Sequence, residues 1–187
     1  MAGLIARIGP ITLKARRLPP FQSVVQAIIY QQLSGKAAAT ILGRFQALFG
    51  EERFPTPEQV LQIAPEQLRA AGLSRPKALY VRGVGEHAVA GRLPTLAACE
   101  DLTDEEIAER LMAIKGVGRW TAQMFLIFNL GRPDVLPVHD LGVRKGYQIA
   151  YGKRSLPRPE ALERFGAKWK PHRTAAAWYL WRVLDTR

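Results

Sequence analysis

The chain of 187 residues has a single cysteine, Cys99, and three histidines. One cysteine excludes a disulfide framework, a thiolate zinc site and a four-cysteine iron–sulfur cluster. His87, His139 and His172 lack metal-ligand spacing, so no metal or other cofactor is expected. No apolar run approaches the length of a membrane span, and the opening MAGLIARIGP is too short and too broken for a signal peptide. A reducing, cytoplasmic setting is the expectation. Acidic residues are scarce as well: 16 Asp and Glu face 27 Lys and Arg, for a net charge of +11. The deficit lies at the two ends. Residues 1–20 hold four basic residues and no acid, and residues 141–187 hold eleven basic and three acidic, while the middle is nearly balanced. A basic surface of that size suits a polyanion such as DNA or RNA.

Sustained period-two alternation is also missing, so the fold class expected is all-α. What is present is a series of helical patterns cut by Pro and Gly. FQSVVQAIIY places apolar residues at 21, 24, 25, 28 and 29, a helical stripe. It breaks at QQLSG, where Ser34 can cap a helix GKAAATILGRFQALF. TPEQVLQ carries Thr56 as cap, Pro57 at the first helical position and Gln59 closing a capping box. APEQLRAAG and SRPKALYVRGVGEHAVAG follow, the second opened by Ser74. LTDEEIAERLMAI repeats the box with Thr103 and Glu106, and RWTAQMFLIFNL is apolar nearly all round, as a buried central helix would be. GRPDVLPVH cannot hold a helix. DLGVRKGYQIAYG restarts one with Asp140 at the cap, and RPEALERF and HRTAAAWYLWRVLD finish the chain.

Between the last two capped patterns lies IKGVGRWTAQ. Gly116 and Gly118 permit positive φ and leave no side chain over the turn, so a partner can approach the backbone. The unpaired N–H groups at the start of the next helix point outward beside the positive end of its dipole, a site of phosphate size. Lys115, Gly116, Val117, Gly118, Arg119 and Thr121 are the candidate DNA-backbone contacts. Gly83-Val84-Gly85 is a second Gly-Val-Gly, but it lies inside a helical pattern without a capped entry helix and reads as structural.

The string LxxIKGVGRWTA, with GRPDVLPVHDLGVRKG after it, resembles the helix–hairpin–helix DNA glycosylase superfamily with its Gly/Pro-rich loop and aspartate, nearest the 3-methyladenine DNA glycosylase II branch. AIIYQQLSGKAAATIL, LSRPKALYV and WKPHRTAAAWYLWR resemble further segments of that branch in the same order. The resemblance implies two helical subdomains with the active-site cleft between them. Subdomain A would take about 21–130, with the hairpin at 103–130, and subdomain B about 1–20 plus 131–187. It implies that Asp140 is catalytic, stabilising an oxocarbenium-like sugar or orienting water. Alone, Asp140 would read as a helix cap.

Bifunctional members carry a lysine where this chain has Trp120, so the resemblance implies base removal without strand cleavage. No second acid is placed to protonate a leaving group, and Asp134 reads as loop structure. N-alkylated purines such as 3-methyladenine and 7-methylguanine are positively charged and leave without protonation. Trp120, Trp181, Met124 and Tyr30 are the expected base pocket; Trp178 and Trp169 read as core. Relatives often have tyrosines at Met124 and Arg182, which leaves selectivity open. Gln32, with Leu33 beside it, takes the place of the wedge that fills the gap left by a flipped base. The expected partner is double-stranded DNA containing alkylated bases, bound by a monomer in a bacterial-type, nucleoid-associated setting. The alternatives are a glycosylase for deaminated, etheno or mismatched bases, and a non-catalytic helix–hairpin–helix module.

Overall fold

The computed structural model describes residues 1–50 and 53–185, and these are helical with no strand. In chain order the α-helices are α1 Ala2–Ile8, α2 Pro20–Tyr30, α3 Gly35–Ala47, α4 Pro57–Gln62, α5 Pro65–Ala70, α6 Arg75–Val89, α7 Ala98–Asp101, α8 Asp104–Met112, α9 Arg119–Met124, α10 Leu141–Ala150, α11 Pro159–Gly166 and α12 Arg173–Asp185. The chain divides into two compact units, 17–122 and 1–16 with 123–187.

In the unit 17–122, local chemistry sets the helix starts. Ser34 and Ser74 accept N3 backbone N–H groups, from Ala37 and Lys77. Thr56 with Gln59, and Thr103 with Glu106, form reciprocal capping boxes. The apolar stripe of α2 buries Val24, Val25, Ile28 and Ile29, and α2 packs against α3 and α6. α6 also packs against α4 and α5. Its second Gly-Val-Gly is a packing feature, because a Cβ at Gly85 would lie 3.3 Å from Leu61 and from the Pro57 carbonyl. Fully burying one such Ile or Leu stabilises by roughly 1.5–3 kcal/mol.

The other unit is built on α12, against which α1 and α10 pack. Its core includes Leu4, Val143, Tyr147, Leu162, Ala177, Leu180 and Val183. α10 and α12 approach so closely at Gly146 that any Cβ there would strike the Leu180 carbonyl. Leu4 on α1 belongs to this core, and the Tyr179 hydroxyl donates to the Gly9 carbonyl at 2.9 Å. The N-terminal segment is thus packed into the core of this unit.

Two expectations need correction. RWTAQMFLIFNL is not one uniform buried helix. After α9 it widens into a π-helical stretch, Phe125–Leu130, closed by Gly131 at φ 72°. The widening lets chain outside the helix share its carbonyls: Arg16 N–H donates to Phe128 O at 2.9 Å and Arg132 N–H to Leu126 O at 2.9 Å. Its first turn is also buried on one side only: Thr121 and Ala122 are buried, while Trp120 is 47% exposed.

Candidate active site and nucleic-acid interface

In the unit 17–122 the hairpin runs from α8 through residues 113–118 into α9. Ile114 and Val117 are buried and hold the turn down, leaving Lys115 and Gly118 exposed. Gly116 has φ +92°, and a Cβ there would collide with the Tyr80 ring. Both constraints demand glycine. Gly118 departs from expectation: its φ is not positive, and a Cβ would meet nothing within 4 Å. No neighbour in its own fold requires glycine there, and the space in front of it is open to a partner.

Arg119 is engaged rather than simply presented. It forms an exposed ion pair with Glu105, with bonds of 2.8 and 3.4 Å, and that pairing holds the Glu105 carboxyl below the usual carboxylate range. Thr121 is buried, and its hydroxyl oxygen accepts from Gln31 Nε2 at 3.4 Å. The same amide donates to the Gly116 carbonyl at 3.0 Å. The turn 31–34 is therefore tied to the hairpin. Gln32 sits at its tip with φ 57°, exposed, with Leu33 and Tyr30 also exposed beside it.

In the other unit Asp140 caps α10. Its Oδ1 accepts the Val143 N–H at 2.7 Å and the Trp181 indole N–H at 2.9 Å. Trp181 lies on α12 and stacks on Phe128, with ring centroids 5.6 Å apart. Gly142 makes room for this pair, because a Cβ would stand 2.9 Å from the Trp181 ring and 3.0 Å from Asp140 Oδ1. Two residues named for different roles, Asp140 and Trp181, are thus in direct contact. Met124 is partly buried in this unit, while Trp120 and Tyr30 belong to the unit 17–122.

The Pro-rich loop that delivers Asp140 is pinned to the start of α12. Asp134 takes Arg173 in a bidentate pair, with Nε to Oδ1 at 2.7 Å and Nη2 to Oδ2 at 3.0 Å. The guanidinium holds the Asp134 carboxyl below its ordinary value. Thr174 Oγ1 donates to Arg132 O at 2.6 Å and accepts Val135 N–H at 3.0 Å. Asp134 is thereby committed to loop structure, as its position suggested. Trp178 is buried and Trp169 packs on the core, so both are structural. Among the described residues, no group of His, Cys, Asp and Glu could hold a metal ion, and no helix is long and apolar enough to cross a membrane.

Sequence reading missed Gln31, Lys77, Glu105, Phe128 and Gly142. Gln31 opens the turn QQLSG, where its amide was the only hint. The others gain meaning from contacts that span the chain.

A helix–hairpin–helix with glycine at its tip, followed by a Pro-rich loop that ends on a helix-capping aspartate, defines a class. The chain belongs to the HhH-GPD superfamily of base excision DNA repair proteins, whose family model matches residues 25–172. It is similar to DNA-3-methyladenine glycosylase 1 of Schizosaccharomyces pombe, with 40% identity over 88% of this chain and 72% of that protein. Among solved structures it resembles a DNA-3-methyladenine glycosidase from Bacillus halodurans, with TM-score 0.90 and 40% identity over 99% of this chain and 84% of that one. It also resembles the Schizosaccharomyces pombe 3-methyladenine DNA glycosylase in complex with abasic DNA, with TM-score 0.86 and 37% identity over 97% and 89% of the two chains.

Proposed function

We propose that the protein is a monofunctional DNA glycosylase that flips out and excises N-alkylated bases of the 3-methyladenine and 7-methylguanine type, leaving an abasic site for base excision repair. The observation that carries this reading is the oriented carboxylate: Asp140, at the head of α10, fixed by two N–H donors on one oxygen. As the bond from base to sugar stretches, positive charge grows at C1′ and the ring oxygen, and a fixed carboxylate stabilises it without reorganising. Asp134, the other carboxylate of the Pro-rich loop, is held by Arg173 and does not share that role. The leaving base therefore departs without protonation by a protein acid, which suits a purine already cationic through alkylation. The exposed face of Trp120 offers such a base stacking and cation–π attraction, worth roughly 0.5–2 kcal/mol.

Gly116–Arg119 and Lys115 grip the phosphates through backbone N–H groups and charge, and the turn with Gln32 and Leu33 enters the stack. The position that would form a Schiff base holds Trp120, which has no amine, so strand cleavage is not part of the reaction. One chain carries the hairpin, the turn and Asp140, so a monomer suffices, acting where the DNA is, in a nucleoid-type setting. Similarity to the two 3-methyladenine-named relatives supports the lesion class.

The test compares the native protein with Asp140→Asn on DNA treated with a methylating agent. Asparagine caps helices as well as aspartate does, so the fold persists while the negative charge is lost. Expected are release of 3-methyladenine or 7-methylguanine by the native protein only, read by mass spectrometry, and strand breaks only after hot alkali. Equal release by both proteins refutes the role of Asp140. Tight binding without release points to another lesion or to a binding module.

A further inference from the structure

Lys77, on the second half-turn of α6, has no role in the chemistry above. Its ammonium nevertheless donates to two backbone carbonyls at the end of α2, Ile29 O at 2.8 Å and Gln31 O at 2.6 Å. Ile29 O lies in the last turn of α2, where no intrahelical partner exists and the dipole is negative, and Gln31 is the C-cap residue just beyond it. Lysine is partly buried there, and burial pulls its ammonium below the ordinary lysine value. One residue on, the chain leaves the helix, and Gln32 takes a left-handed conformation that a glutamine adopts only when its surroundings impose it. Gln31 supplies the other half of the restraint. Its carbonyl is held by Lys77, and its side-chain amide donates to the Gly116 carbonyl and the Thr121 hydroxyl of the hairpin.

We propose that Lys77 and Gln31 are positioning residues that lock the turn 31–34 to the phosphate-gripping hairpin, so that Gln32 is held ready to occupy the gap left by the flipped base. The inference rests on the glycosylase reading and deepens it. A hairpin bound to a phosphate fixes one point on the duplex. A turn that floats relative to that point must be ordered each time the stack is opened, and the cost falls on base opening. A turn tied to the hairpin by bonds of 3.0 and 3.4 Å and to α6 by bonds of 2.6 and 2.8 Å enters the duplex already ordered. Neither residue needs to touch DNA for this. Glutamine at the tip makes the device more necessary, since a polar wedge gains less from entering the stack than an apolar one would.

The experiment uses the full chain and a duplex with one 7-methylguanine whose neighbour is 2-aminopurine, whose fluorescence rises as the stack opens. Lys77→Met keeps the apolar stem and removes the donors, Gln31→Leu removes the amide, and Lys77→Arg is the conservative control. We expect Lys77→Met and Gln31→Leu each to lower the single-turnover excision rate at least about tenfold, since each removes two of the bonds that hold the turn. The 2-aminopurine signal should fall in parallel. Affinity for an undamaged duplex, which reports phosphate contacts rather than base opening, should stay within about twofold. The double variant should be no slower than the worse single one, because both act on one device, and Lys77→Arg should recover much of the rate.

Thermal unfolding sets the working temperature well below the transition of each variant. If Lys77→Met does not fold, Gln31→Leu, which removes only side-chain bonds to the hairpin, carries the test. Excision and 2-aminopurine signal equal to native in a folded Gln31→Leu would overturn the inference while leaving the glycosylase reading intact. A native protein that releases no base would overturn both.

Discussion

Replacing Trp181 by phenylalanine separates two things the indole does. The stack on Phe128 survives in large part, because a phenyl ring can occupy the same slot at a centroid distance near the present 5.6 Å. The N–H donated to Asp140 Oδ1 at 2.9 Å is lost. A hydrogen bond to a charged group is worth about 1.5–3 kcal/mol. Here the lower end applies, since the Val143 N–H remains on the same oxygen at 2.7 Å and Trp181 is only partly buried. In the proposed reaction that bond matters most when the carboxylate must keep its aim at the developing sugar cation, so the loss should appear in the chemical step. About 1.5 kcal/mol corresponds to roughly a tenfold drop in single-turnover excision rate. Affinity for the lesion duplex should change less than about twofold, the pattern of an interaction used mainly in the transition state. Phe128→Leu serves as the converse, removing the stack while keeping the N–H. Quenched-flow or hand-mixed excision with enzyme in excess over 7-methylguanine DNA reads the rate, and anisotropy reads binding. A Trp181→Phe protein that excises at the native rate, or whose whole defect lies in binding, would refute the assignment of the indole to Asp140.

The two hairpin glycines should behave oppositely. Gly116→Ala combines a positive φ with a clash on Tyr80 and should cost about 2–5 kcal/mol in urea unfolding. Gly118→Ala should change stability by no more than about 0.5 kcal/mol yet weaken DNA binding, because its Cβ points into space a phosphate would fill. Glu105→Gln removes the carboxylate that holds Arg119 and should tighten binding to undamaged duplex at low salt. It should also steepen the slope of log affinity against log salt by about 0.9, the increment for one added phosphate contact. Asp134 has its carboxyl lowered by Arg173, so the pair stabilises the fold above the ordinary value of 3.8 and that stability is lost as pH falls below it through the lower folded value. Melting temperature between pH 5 and pH 3 should therefore drop more for the native protein than for Asp134→Asn, and parallel curves would contradict this.

Much of the helical architecture was legible because helix starts are local. Thr56 with Gln59 and Thr103 with Glu106 sit three residues apart, and Ser34, Ser74 and Asp140 each bind an N–H three residues on. Such bonds form wherever the helix forms, so spacing alone announces them. The stripe of α2 and the break at GRPDVLPVH were readable for the same reason. The hairpin was readable as a motif, although only Gly116 turned out to need positive φ; a glycine tells that a side chain is missing, and the fold tells which neighbour would have objected. The π-helical widening at Phe125–Leu130 escaped, because its apolar pattern is that of an α-helix and the Arg16 N–H that bonds Phe128 O comes from far away in the chain.

Sequence by itself determined the all-helical class, the caps, the glycine turn and the presence of an aspartate at a helix head after a Pro-rich loop. Tertiary structure alone decided what those parts are joined to. Asp140 and Trp181 are 41 positions apart, Asp134 and Arg173 are 39, and Gln31 and Gly116 are 85. The physical reason is range: a cap is satisfied within one turn of its own backbone, whereas the aim of a carboxylate and the rigidity of a turn are set by donors that only packing brings within 3 Å.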